Sequence, residues 1–151
     1  MMSSRRQSRI VAIQILYQIQ LTTTPMSAII EQFWRSQATS VNLRSFATQL
    51  VEGTAEHLPV IDDLIQNTSK NWKLHRMPIV DLAILRCATY EILFVEDIDA
   101  ATSINEAVEI AKSYSTPDSP KFINGVLDNI RKKHAAPVPE HITLEKNQLP
   151  L

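Results

Sequence analysis

The residues from which catalysis or metal binding would have to be built are few and poorly placed for it. His57, His75, His134 and His141 are scattered along the chain, with no metal-ligand spacing between them. Asp62 and Asp63 form a carboxylate pair, but adjacent residues of a helix point to different sides. The single cysteine, Cys87, lies in the most apolar stretch of the chain, which suits an inert core thiol better than a nucleophile. One cysteine excludes an internal disulfide and a multi-thiolate metal site, and it fits a reducing compartment. No G-x-S-x-G, phosphate-binding loop or H-E-x-x-H motif occurs. The expectation is a protein without catalytic residues, metal or cofactor, and so not an enzyme.

Charge placement says more. Arg5, Arg6 and Arg9 all precede the first acidic residue, Glu31. Arg5 and Arg9 share a face if a helix starts early. Such a cluster suits phosphate, because attraction to the phosphate backbone dominates nucleic-acid affinity; an ordinary solvated N-terminus reads the same way. Further on, Lys121-Phe122 follows Ser119-Pro120 in the first turn of the last helical segment, and Phe122 lies off that segment's apolar stripe. An aromatic ring there can stack a base while Lys121 and the helix amides hold phosphate. Packing under a neighbouring loop is the alternative. Global charge decides neither case, since 15 basic and 16 acidic residues leave a formal net charge of −1.

The elements that must position these groups are helices. The chain has two glycines, Gly53 and Gly125, in 151 residues, where average usage would supply about ten. Hairpins and phosphate loops need more. Met26, Ile29, Ile30, Phe33 and Trp34 recur at helical spacing behind Thr24-Pro25, read as a cap and a first-turn proline. Leu43, Phe46, Ala47, Leu50 and Val51 repeat the pattern with Asn42 as the expected cap, and Val60, Ile61, Leu64 and Ile65 do so after Pro59. Gly53 interrupts a helical pattern, which points to a close helix–helix approach.

From Pro78 to Val95 the chain is apolar almost all round, so this segment is expected at the centre of the fold. Arg86 and Glu91 interrupt it, and buried charges there call for a structural ion network. Ser103-Ile104-Asn105-Glu106 reads as a capping box. Ile123, Val126, Leu127 and Ile130 form the stripe of the last helix. The expected organisation is a helical RNA-binding domain over residues 1–134 and a disordered, proline-bearing tail over 135–151. With no signal peptide and no apolar run near the roughly 20 residues that span a bilayer, a soluble cytoplasmic protein without membrane contact is expected.

Several of these stretches resemble the NusB transcription-antitermination family. They are Arg6-Gln7-Ser8-Arg9 with Gln14-Ile15-Leu16-Tyr17, Trp72 to Met77, Leu85 to Glu91, Ile104 to Lys112 and Lys121 to Asp128, in order from about residue 5 to 131. The resemblance implies an all-α bundle of about seven helices in two three-helix-like halves. It implies binding of boxA-type RNA in ribosomal-RNA transcripts, together with the ribosomal protein that doubles as NusE, within an RNA polymerase assembly that suppresses termination. It places RNA contacts at Arg5, Arg6, Arg9, Lys121 and Phe122, with Asp118 beside them and an acidic position at Asp81. Family members are monomers or homodimers, and the sequence leaves that choice open. Gln7 and Ser8 thin the arginine cluster relative to some members, and Asp99-Ala100 stands where a proline-containing turn is usual. Two other readings are a helical adaptor that binds only protein, and an accessory domain like that of certain ribosomal-RNA cytosine methyltransferases. The second requires a cofactor-binding α/β domain downstream, where this chain has its proline-bearing tail.

Overall fold

Apolar residues at helical spacing become seven helices in a computed structural model that describes residues 4–36 and 40–135. They are α1 (Ser4–Leu21), α2 (Met26–Ser36), α3 (Val41–Glu56), α4 (Leu58–Thr68), α5 (Ile79–Phe94), α6 (Ala100–Tyr114) and α7 (Ser119–Ala135), with one turn of 3₁₀ helix at Leu74–Arg76. There is no strand among the described residues. No helix there is long and apolar enough to cross a membrane, and no cluster of three or more metal-ligating side chains occurs. Residues 136–151 of the expected tail lie outside the described residues.

The bundle has two halves. α1 packs on α2 and α3, α5 packs on α6 and α7, and α1 lies against α5 to join them. The apolar sequence of α5 explains its place, since a helix without a polar face must be covered on every side. Residues from Asp81 to Ile92 are buried, Arg86 excepted. Ile84 and Leu85 are fully excluded from water, as are Leu50, Ile61, Ile65, Ile123, Leu127 and, nearly so, Ile130 on neighbouring helices. Each such side chain contributes about 1.5–3 kcal/mol of burial free energy. Gly53 on α3 faces Tyr90 of α5, and a Cβ there would collide with the Tyr90 ring.

Helix starts depart from the local motifs. Ser40, not Asn42, caps α3, its hydroxyl accepting from the Leu43 amide at 3.2 Å. At α2 the helix begins after Pro25, whose carbonyl accepts from Ala28 and Ile29, while Thr24 bonds the Thr22 hydroxyl instead of capping. The expected capping box also fails. Asp99 caps α6 through the Thr102 amide at 2.9 Å, one turn earlier than that motif places the start. Ser103 and Glu106 therefore lie inside the helix and face α1 and α5, where charged partners compete better for them than their own backbone does.

Candidate nucleic-acid interface

The three N-terminal arginines are grouped by sequence and separated by the fold. Arg9 is 4% exposed. Its Nε and Nη2 donate to the two carboxylate oxygens of Glu91 at 2.8 Å each, and Nη1 reaches Glu106 at 3.5 Å. Ser103 donates to the same Glu91 carboxylate at 3.0 Å, so the buried charge is satisfied from α1 and α6 together. Burial alone would lower the Arg9 pKa, but the hydrogen bonds and charge of Glu91, with Glu106, overcome it and hold the guanidinium above its ordinary value. Arg9 is thus closed to solvent, which corrects its expected place among surface phosphate contacts. It anchors α1 to α5.

Arg6 is half-buried and makes a two-pronged pair with Glu106 at 3.0 and 2.6 Å. Hydrogen bonding from Arg6 holds the Glu106 carboxyl below its usual range against the opposing effect of burial. Arg5 is exposed, lies over the face of Phe46 at 4.1 Å and has no carboxylate partner among the described residues. Of the three, it presents the most available charge.

Arg86 and Glu91 do not pair with each other. Arg86 forms a bidentate pair with Asp62 on α4 at 2.8 and 2.9 Å, with side chains 15% and 27% exposed. Asp63, the other half of the carboxylate doublet, points to solvent. Cys87 is buried beside Glu91, and burial first, then that carboxylate, push its thiol pKa well up, which suppresses the thiolate.

The other end of α5 is built differently. Asp81, in its first turn, is 3% exposed and accepts from the hydroxyls of Ser115 and Ser119, the latter at 2.9 Å. Ser119 opens α7, so Asp81 fastens the start of α7 to α5. Buried and satisfied, Asp81 positions the turn that presents Lys121 and Phe122 and lies at the base of the groove beside them.

Asp118 and Lys121 are exposed, and Phe122 is half-buried against the core. Phe122 meets Trp72 edge-to-face, with ring centroids 6.3 Å apart and planes at 67°. Trp72 is 55% exposed. The two rings form a ridge with a groove on each side, one bordered by Lys70, Lys121, Gly125 and Asn129, the other by Arg76, Pro78 and Thr116. The sequence reading finds Phe122 and misses Trp72, Lys70 and Arg76. A signal was present: Trp72 stands between Lys70 and Lys73 in a polar connector, where no helical stripe claims an aromatic residue.

A helical bundle that turns an aromatic ridge and basic side chains outward, with its ionisable clusters tied into the packing, has the make-up of a nucleic-acid-binding module. The NusB family model matches residues 6–132, and the chain belongs to the NusB family. The transcription antitermination protein NusB of Thermodesulfovibrio yellowstonii is 42% identical over 139 residues, covering 85% of this chain and 92% of that one. The protein of the same name from Geobacter sulfurreducens is 45% identical over 130 residues, covering 85% and 94%. Among solved structures, T. maritima NusB superposes with a TM-score of 0.81 at 36% identity, covering 99% of this chain and 100% of that one. A structure of the antitermination factors NusB and NusE in complex with dsRNA matches with a TM-score of 0.79 at 25% identity, covering 88% and 99%.

Proposed function

We propose that this chain is a non-enzymatic, cytoplasmic antitermination factor. It binds single-stranded boxA-type RNA of ribosomal-RNA transcripts jointly with a NusE-type ribosomal protein, and the pair joins an RNA polymerase assembly that suppresses termination. The observation that carries the RNA reading is the exposed Trp72–Phe122 ridge flanked by Lys121 at the start of α7. Phe122 stacks a base, Lys121 and Arg5 hold phosphate with the exposed part of Arg6, and Asp118 accepts from a base amine. Arg9 and Asp81 act by holding α1 and α7 in place. The RNA-binding unit is residues 1–134. Arg9–Glu91 and Asp81–Ser119 mark opposite ends of α5, which at 1.5 Å per residue puts roughly 15 Å between the two regions.

Titration of a labelled boxA-like oligoribonucleotide tests this, alone and with the NusE-type protein. RNA affinity should rise when the protein partner is present, and by linkage RNA must tighten the protein–protein complex by the same factor. Equal affinity in both titrations removes the joint mechanism. A chain that ignores the oligonucleotide even at low salt is an adaptor that binds only protein.

A further inference from the structure

The two glycines of this chain stand in opposite situations. Gly53 is demanded by packing, because Tyr90 occupies the space a side chain would need. Gly125 is not. It is exposed in the middle of α7, its φ is not positive, and a Cβ built there would meet nothing within 4 Å. Glycine in a helix interior is destabilising relative to alanine, so the fold gains nothing from it here. Gly125 lines the groove beside the Trp72–Phe122 ridge and adds no side chain to it.

We infer that this groove seats one nucleotide of a single-stranded RNA, with Trp72 as a second stacking surface beside Phe122 and Gly125 as the clearance that lets the base or ribose approach the α7 backbone. The inference rests on the RNA-binding reading above and names the residues that shape its site. The rings touch edge-to-face, so no base inserts between them; a base lies against the exposed face of Trp72 on the Gly125 side. Lys70 and Lys121 border the groove and suit the phosphates, while the exposed carboxylate of Asp118 disfavours phosphate beside it and suits a base amine. Phosphate is therefore directed to the lysines and the base to the aromatic side. A groove for an apolar peptide would have little use for two lysines and a carboxylate at its rim.

The test exploits a sign difference. Gly125→Ala and Gly125→Leu insert good helix formers at an exposed position, so both should melt at or above the wild-type temperature. Both should nonetheless weaken binding of the boxA-like oligonucleotide, Gly125→Leu more than Gly125→Ala. Trp72→Ala should weaken it roughly tenfold, the scale of one lost stacking contact, without changing the salt dependence, and Trp72→Phe should restore part of the loss. If Gly125→Leu and Trp72→Ala are folded and bind as wild type while Phe122→Ala binds weakly, the groove is not a nucleotide seat and the broader RNA reading survives. A Gly125→Ala variant that melts lower than wild type assigns the glycine to the fold and overturns the inference. Wild-type protein that binds no RNA overturns both readings together.

Discussion

The two ends of α5 both gather charged and aromatic residues and use them in opposite ways. At the Glu91 end, Arg6 and Arg9 from α1 are neutralised by Glu91 and Glu106, and Arg9 is sealed from water. At the Asp81 end, the carboxylate is satisfied by two serine hydroxyls, and the basic and aromatic side chains around it face outward. One end is closed by ion pairs, and the other is fastened by neutral hydroxyl donors that leave its basic side chains unpaired with Asp81. The availability of a charge thus depends on where its carboxylates sit, more than on how many like charges are its neighbours in the chain.

Breaking the closed end should have the largest effect. Arg9→Ala leaves Glu91 buried and uncompensated, which should cost about 3–5 kcal/mol, measured as the shift in the denaturation midpoint. A midpoint unchanged from wild type would show that Arg9 is not part of the core. Arg86→Ala sharpens the contrast, since Arg86 pairs just as well with Asp62 but in a wetter setting. Its loss should cost less, about 1.5–3 kcal/mol, on the scale of a charge-assisted hydrogen bond. Should Arg86→Ala be the more damaging of the two, burial is not what separates these pairs.

At the open end, Phe122→Ala should weaken RNA binding by about 1–3 kcal/mol with an unchanged salt slope, because no charge is lost. Being half-buried, Phe122 should cost less in stability than the roughly 3–5 kcal/mol of a core phenylalanine. A variant that unfolds while the Arg5 variant binds normally would make Phe122 a packing residue.

Acid should weaken the closed end through Glu106. The folded Glu106 carboxyl is held below its ordinary pKa, so its contribution to stability is complete above about pH 4.3 and is lost as pH falls further through the folded value. Thermal melts across that window should decline less steeply for Glu106→Gln than for wild type. Parallel declines would remove Glu106 from the linkage. The smallest effect is expected from Arg5→Ala, which should leave folding intact and lower the log–log salt slope of RNA binding by about 0.7 per phosphate contact removed. An unchanged slope would leave the arginine end with no phosphate role at Arg5.

The sequence by itself determined the helices and their centre. Scarce glycine removed hairpins, 3.6-residue spacing laid out the apolar faces, and a segment apolar on every side had to become the most enclosed helix. These are properties of short windows, and local periodicity reports them faithfully. Tertiary structure alone decided how the polar groups are used. Whether Arg9 faces RNA or core depends on a carboxylate 82 residues away, and no window around Arg9 contains it. Ser103 and Glu106 match a capping motif locally but bond across helices, Ser103 to the buried Glu91 carboxylate and Glu106 to the guanidinium groups of Arg6 and Arg9, because these charges attract them more strongly than an amide at a solvated helix end. Trp72 and Phe122 become one ridge because α7 returns beside the connector after α4. Apolar burial is additive along a helix and can be read locally, whereas the worth of a charge is set by the partners that folding brings to it.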